Sequence, residues 1–251
     1  MGVKERRERV KSETRDKILD AARELFLAEG YEGVSMRRVA EMIEYSPTAI
    51  YVHFADKNEL FHELCRQDFA HLQEVMKSAE MPSDPIERLR QIGRRYVEFG
   101  VRFPHHYQFM FMTPHPPHGP DEEDREIMGN PEVDAYALLK WAVEEAINAG
   151  RFREEVQDAE LVSQTLWASV HGVISLNIAK CKDPWVEWRP IEDRAEMMLD
   201  VTLRGLVSGR SVEEKLPLLA TPARSGAPHA NSGAPVSSDG PYTSDLPTEE
   251  K

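Results

Sequence analysis

Residues 44–61 read EYSPTAIYVHFADKNELF. Ser46 stands directly before Pro47, and Asp56 directly before the next run of apolar residues. A serine hydroxyl satisfies one of the free amides in a helix's first turn, and proline costs least at the first helical position. The stretch 46–53 is therefore expected to be a short helix. Asp56 opens a longer one, to about Ala79, and Asp56-x-x-Glu59 approximates a capping box with Asp in the Ser/Thr place. The short helix has two unlike sides: Ile50 and Phe54 face inward, and Pro47, Thr48, Ala49 and Val52, all modest in size, face out.

The preceding segments supply a partner for the inward side. Ser35 is a natural N-cap for a second short helix with Val39, Ala40 and Ile43 inward. A longer helix runs from about Ser12 to Glu29, with Ile18, Ala22, Leu25 and Phe26 on one stripe and Gly30 at the stop position. The two short helices, separated by a turn around Glu44–Tyr45, form with the long one a three-helix unit. This is the size of the helix-turn-helix variants that present a second helix to the major groove of DNA. Thr48 can hydrogen-bond a base or touch a thymine methyl, whereas Ala49 and Val52 offer apolar contact only. Tyr51, His53 and Lys57 flank that helix where phosphates would pass, and a phenol, an imidazole and an ammonium are all phosphate donors. Lys57 also lies beside a helix N-terminus, whose free amides favour anions. Arg37 and Arg38 are placed to act likewise, and the capping residues Ser35 and Ser46 complete the candidate DNA-binding set. The alternative reading, Tyr51 closing the small core and His53 merely exposed, stays open at this level.

Composition sets the frame around that unit. The chain has 251 residues, 41% apolar and 30% charged, with a formal charge of −13. Residues 1–57 hold as many basic as acidic residues, so the rest of the chain carries the negative charge. Within residues 1–17, Lys4, Arg6, Arg7, Arg9, Lys11, Arg15 and Lys17 outnumber the acids, a local excess that phosphates would feel within a Debye length of ~8 Å. It also reads as a solvated, disordered arm. Cys65 and Cys181 cannot build a disulfide framework, which fits a reducing cytoplasm. The N-terminus has no apolar core of a signal peptide. Leu161–Ala179 lacks Asp, Glu, Lys and Arg, but its Ser, Thr, Gln, His and Asn residues make it too polar for a membrane span.

Beyond residue 79 the periodicity predicts helices at 84–103, 105–112, 131–149, 158–180 and 191–208. Residues 113–130 read as a proline-rich acidic loop, and 210–251 as a disordered tail unable to offset the entropy of ordering. His105, His106, His115 and His118 raise a metal question, yet they form no helical i,i+4 pair and have no Cys partner, so no metal site is assigned. Catalytic motifs such as HExxH, GxSxG and a phosphate-binding glycine loop are absent. No enzyme activity and no cofactor are expected.

The segment TRDKILDAARELFLAEGYEGVSMRRVAEMIEYSPTAIYVHFADKNELF resembles the N-terminal domain of the TetR/AcrR family of transcriptional regulators. The likeness is carried by Ile18, Ala21, Ala22, Leu25 and Phe26, by Gly30-Tyr31, by Ser35 with Val39-Ala40, and by Ile50-Tyr51-x-His53-Phe54-x-x-Lys57-x-x-Leu60. One departure is Glu44, where the family usually has glycine in the turn. The resemblance implies phosphate contacts by Tyr51, His53 and Lys57. It implies an all-α chain: a helix-turn-helix DNA-binding domain at 11–71, a helical dimerisation and ligand-binding domain at 72–209, and the tail at 210–251. Trp167-x-x-x-His171-Gly172 further resembles a C-terminal subtype with a Trp-His-Gly signature. A ligand pocket is expected among Phe99, Phe103, Tyr107, Phe109, Phe111, Trp141, Trp167 and His171. Helices near 158–180 and 191–208 are expected to pair across a two-fold axis, the second through Ala195, Met198, Leu199, Thr202 and Leu206. The implied protein is a cytoplasmic homodimeric repressor, bound to a pseudo-palindromic double-stranded operator and released by a small-molecule effector, with no membrane partner. Two other classes remain: a helical small-molecule-binding protein without operator recognition, and a metal-dependent enzyme built on the histidine cluster.

Overall fold

Capping hydrogen bonds form where the sequence places them. In a computed structural model, which describes residues 2–78, 80–114 and 122–208, the Ser35 hydroxyl oxygen accepts from the Arg38 amide at 3.2 Å, and that of Ser46 from the Ala49 amide at 3.3 Å. Asp56 Oδ1 accepts from the Glu59 amide at 2.9 Å, while the Glu59 carboxylate reaches back to the Ala55 amide. These bonds open α2 (Met36–Met42), α3 (Pro47–Tyr51) and α4 (Lys57–Lys77). They follow α1 (Val3–Gly33), which bends at Gly30, where φ is 71°. The expected start of α1 at Ser12 lies too far along the chain. The basic arm is helical back to Val3, because it holds good helix formers and no proline, and Arg9 pairs with Glu13 one turn on.

α5 (Pro85–Arg102), α6 (Pro104–Met112), α7 (Glu122–Ile127), α8 (Ala135–Asn148), α9 (Ala159–Lys180) and α10 (Ile191–Leu206) complete the described helices. Two boundaries differ from expectation. The acidic loop contains α7, since residues 122–127 are helix formers free of the neighbouring prolines. Helix α8 begins at Ala135 rather than 131, because Asp134 Oδ1 accepts from the amides of Tyr136 and Ala137 and so caps it there. Residues 210–251, assigned to the tail, and 115–121, with His115 and His118, lie outside the described residues. Among the described residues, strand-like pairing is limited to the isolated bridge of Phe152 with Val207.

Two apolar cores organise the helices. The first gathers Ile18, Ala22, Leu25 and Phe26 of α1 with Val39, Ala40, Ile50, Phe54, Leu60, Phe61 and Leu64. The second lies among α4, α5, α6, α8, α9 and α10. Close approach within it depends on two glycines one heptad apart on α5. A Cβ on Gly93 would lie 2.5 Å from a Leu199 methyl of α10, and one on Gly100 would lie 2.6 Å from an Ile174 methyl of α9. A Cβ at either position would force the facing Leu199 or Ile174 side chain, or α5 itself, to shift.

The turn between α2 and α3 is strained. Glu44 has φ 59°, in the left-handed region, and this lets the Tyr45 amide return to the Ala40 carbonyl at 2.9 Å. Such a conformation costs a non-glycine residue roughly 1–2 kcal/mol, part of which glycine gives back as unfolded-state freedom. Glu44→Gly is therefore expected to stabilise the chain by about 0.5–1 kcal/mol, read as a higher urea midpoint with unchanged slope. A lower midpoint would mean that the Glu44 side chain contributes more than its backbone costs.

Candidate functional site

Helix α3 holds itself in place with Ile50 and with Phe54 just beyond it, both fully buried, and turns the remainder of its surface outward. Pro47 and Thr48 are exposed and Ala49 is half-buried; Tyr51 is 53% and Val52 68% exposed, high values for side chains of this size. The oxygens of Ser35 and Ser46 accept the capping amides, but each hydroxyl proton remains available. Arg37 pairs with Glu41 at 2.9 Å and Arg38 with Glu29 at 2.8 Å, surface pairs that exchange readily for other anions. Lys57 donates to the Tyr31 carbonyl at 2.9 Å and lies 4.1 Å from the centre of the Tyr31 ring, so its ammonium is held at the start of α4. The His53 ring is half-buried, and its Nδ1 has no partner among the described residues. Burial, then the positive charges of Lys11 and Arg15, lower its pKa. Arg15 also donates to the His53 carbonyl at 3.2 Å and pairs with Glu63 at 2.9 Å. Lys11 and Arg15, read in the sequence only as part of the basic excess of residues 1–17, thus lie beside His53. The signal for them was the helical continuation of the basic arm.

The second core contains a cavity of about 240 Å³. Its walls include Leu72 and Met76 of α4, Ile92 and Tyr96 of α5, Leu139 of α8 and Leu166 of α9. Of the aromatic residues expected to line a pocket, Phe111 and Trp167 do so. His171 borders a second, more open hollow beside them. The others are placed elsewhere. Phe99 and Tyr107 are fully buried in the packed core, Phe103 packs its ring 4.3 Å from that of His71, and Trp141 lies under the Arg88 guanidinium. Phe109 enters the first core, 5.2 Å from the Phe61 ring and 6.0 Å from that of Phe26. The expectation weighted aromatic residues, whereas the lining is drawn from six helices and mixes other aromatics, Phe69, Tyr96 and Tyr136, with aliphatic residues such as Leu72, Ile92 and Leu139, which read in sequence as ordinary core. The stripe expected to pair α10 with a second copy also needs correction. Ala195 and Leu199 face the core, and the exposed apolar residues of α10 are Met197 and Val201.

A hydrogen-bonded row crosses the cavity wall. Trp167 Nε1 donates to the Tyr96 hydroxyl at 2.8 Å, Tyr96 donates to the Tyr107 hydroxyl at 3.3 Å, and Tyr107 meets His171 Nδ1 at 2.6 Å. Burial pushes the Tyr96 phenol up to about 12 and raises that of Tyr107, so both keep their protons at neutral pH. Burial lowers the pKa of His171, which leaves its Nδ1 as the acceptor.

Helix α6 touches both regions. Phe109 fills the first core while the next two residues, Met110 and Phe111, line the cavity. A buried charge cluster runs alongside. Arg23 of α1 grips Asp68 of α4 through two bonds, 2.7 and 3.2 Å, and His106 of α6 meets the same carboxylate at 2.9 Å. Among the described residues no group of three metal-type donors converges, and His105 points to solvent. No helix among them is long and apolar enough to cross a membrane.

Three histidines make stability depend on pH. His53, His71 and His171 all have pKa values below the ordinary 6.5, chiefly through burial. The unfolded chain then binds protons more readily than the folded one just below that value. Their contribution is intact above about pH 6.5 and is lost as the pH falls through that value towards the lower folded pKa values. The urea midpoint is expected to fall between pH 7 and pH 5. The carboxylates with lowered pKa, such as Glu98 and Glu196, act only below their ordinary 4.5. A flat midpoint from pH 7 to 5 would contradict this assignment.

Fold and site together define a helix-turn-helix protein whose all-helical body encloses a cavity. Comparison with known proteins agrees. Residues 18–64 match the family described as bacterial regulatory proteins, tetR family, and residues 89–202 match the tetracyclin repressor-like C-terminal domain. The latter description is not the Trp-His-Gly subtype. The HTH-type transcriptional repressor AcnR of Corynebacterium jeikeium is 34% identical over 177 residues, 65% of this chain and 80% of that protein. AcnR of Corynebacterium diphtheriae is 45% identical over 62 residues, 25% of this chain and 33% of that protein, so the match spans about a third of the relative. A TetR family transcription regulator from Marinobacter aquaeolei superposes with a TM-score of 0.63 over 81% of this chain and 98% of its own, at 15% identity, which speaks for the fold alone. The chain belongs to the tetR family of bacterial regulatory proteins.

Proposed function

We propose that the protein is a homodimeric, operator-binding transcriptional repressor whose hold on DNA is released by a small molecule in the α4–α10 cavity. The carrying observation is α3, a capped helix anchored by Ile50 and Phe54 with an exposed face of Pro47, Thr48, Tyr51 and Val52. In this reading Thr48, Ala49 and Val52 meet base edges. Tyr51, His53 and Lys57, with Arg37, Arg38 and the hydroxyls of Ser35 and Ser46, meet phosphates. The helical arm carrying Lys11 and Arg15 adds positive charge at the same face.

Dimer formation is supported by the outward sides of α9 and α10. Leu161 and Leu176 are more than half exposed, Met197 and Val201 nearly as exposed or more so, and a Cβ on Gly172 would meet open space. Covering such a surface with a second copy is the ordinary fate of exposed apolar stripes on a soluble helical chain. Val201→Glu is the variant that tests it, by sedimentation. Two heads related by a two-fold axis would then read half-sites about one helical turn, ~34–36 Å, apart. The effector acts only through better binding to the released form. Helix α6, with Phe109 in one core and Met110 and Phe111 at the cavity, connects the two, as does α4, with Phe61 and Leu64 in the first core and Leu72 and Met76 at the cavity.

The test is selection of bound sequences from a random duplex library at near-physiological salt, with wild type and Tyr51→Ala in parallel. A two-fold-symmetric motif, lost or weakened in Tyr51→Ala, is expected. In follow-up titrations Lys57→Ala should weaken all duplexes alike, and Thr48→Ala should change preference among them. A folded protein that enriches no motif would leave a helical ligand-binding protein without operator recognition as the reading.

A further inference from the structure

The hydrogen-bonded row beside the cavity has a direction. An indole N–H can only donate, so Trp167 Nε1 sets the start, and the Tyr96 hydroxyl that accepts from it donates onward to Tyr107. In the reverse sense the buried Tyr96 proton would have no acceptor among the described residues. The Tyr107 hydroxyl, itself fully buried and already receiving a proton, turns its own towards His171 Nδ1 at 2.6 Å. Nδ1 is therefore an acceptor, and a neutral His171 carries its proton on Nε2.

Nε2–H is the end of the row that remains open. It has no partner among the described residues, and unlike Nδ1 of His53 it is not sealed inside the protein. The His171 ring borders the more open hollow, and Met110, Phe111 and Trp167 line both that hollow and the chamber of about 240 Å³, so the two spaces adjoin. Other polar side chains at the hollow are engaged: Trp167 donates to Tyr96, and Gln164 to Glu160 at 3.1 Å. Among the described residues no Asp, Glu, Lys or Arg lines either space. An apolar cavity of ~150 Å³ holds a benzene ring, so the chamber takes a body of at least that size. An acceptor oxygen on such a body is what the Nε2–H can meet. A carboxylate would lose its hydration with no cation to receive it, unless His171 took up a proton against the burial that lowers its pKa.

We infer that the cavity takes an uncharged molecule with an apolar, ring-sized body in the chamber and a carbonyl or ether oxygen that accepts from His171 Nε2–H. The inference rests on reading this cavity as the effector site, and it is tested in the absence of DNA so that the two readings fail separately. The full chain is titrated calorimetrically at pH 7 with acetophenone, ethylbenzene and benzoate, which share a ring and differ in the acceptor. Acetophenone should bind at least about tenfold more tightly than benzoate. His171→Phe keeps a flat ring in place and removes the donor. It should weaken acetophenone by roughly three- to tenfold, the loss of one hydrogen bond, and leave ethylbenzene unweakened. Because Tyr107 loses its acceptor in that variant, the wild-type protein is also read directly by nitrogen NMR of the His171 ring. The ring should show the Nε2–H tautomer before any ligand is added, and Nε2 should shift further with acetophenone than with ethylbenzene. The Nδ1–H tautomer would overturn the inference, as would benzoate binding as tightly as acetophenone, or no acetophenone binding at all. Acetophenone binding that ignores His171→Phe would overturn it too, and would leave a second copy of the chain as the source of the acceptor. Equal weakening of acetophenone and ethylbenzene would make His171 a packing residue and likewise overturn it. The expected pattern in a protein that enriches no operator would uphold the ligand class and overturn the regulator.

Discussion

Phe109→Ala should destabilise the chain by about 3–5 kcal/mol, the usual cost of deleting a buried phenyl ring. Phe109 is 0% exposed, and its ring contacts Phe26 of α1 and Phe61 of α4 although it belongs to α6. The hole would open in the core that supports α3, on the side where α6 enters it. At ~2–4 °C per kcal/mol for a chain of this size, thermal unfolding should drop by roughly 6–20 °C. Phe109→Leu, which keeps most of the volume, should recover the greater part of that loss. Under the proposed function the variant carries a second signature. With the link between cavity and head loosened, a bound ligand should release DNA less completely than from wild type, at equal ligand occupancy. A loss below about 1 kcal/mol would mean that α6 yields to fill the space, and α6 would then be no rigid connector.

Arg23→Met is the second large effect, again about 3–5 kcal/mol, for a different reason. Asp68 is 1% exposed and Arg23 7%, and the guanidinium covers both carboxylate oxygens. Burial alone opposes the charge on Arg23, but the hydrogen bond and charge of Asp68 outweigh it, so its pKa is raised. Removing the guanidinium leaves Asp68 buried with His106 as its remaining side-chain partner among the bonds described. The penalty is then mostly the stranded carboxylate rather than the worth of the pair. The double variant Arg23→Met, Asp68→Leu separates these contributions. It should be clearly more stable than Arg23→Met alone, because no charge is left behind in an apolar site. If the double variant lost as much as the two single variants added together, the pair would not be coupled and the argument would fail. Denaturant unfolding of the four proteins decides it.

Much of this protein was legible in residues a few positions apart. Ser35, Ser46 and Asp56 each satisfy an amide three residues on, so the helices they open could be read from spacing alone. The inward stripe of Ile18, Ala22, Leu25 and Phe26, with Ile50 and Phe54, follows from the helical period, and Glu44 in the turn adopts the left-handed backbone that glycine would take more easily. These are short-range facts, set by hydrogen bonds and dihedral preferences that do not need the rest of the chain.

Tertiary packing decided the remainder. A cavity exists where side chains from α4, α5, α6, α8, α9 and α10 fail to meet, which no single helix encodes, so Phe99 and Tyr107 turned out to be packing while Leu72, Ile92 and Leu139 became walls. Likewise the partner of Arg23 is forty-five residues away in sequence, and Phe109 supports a core built from residues far earlier in the chain. The period of α10 defined an apolar stripe but not its direction; the fit of Leu199 against Gly93 turned that stripe inward and left Met197 and Val201 exposed. The sequence by itself determined most of the helices and the three-helix head, because local hydrogen bonds and periodicity suffice for them. Only the tertiary structure decided the cavity, the α6 connection and the exposed face, because each depends on which distant surfaces come into contact.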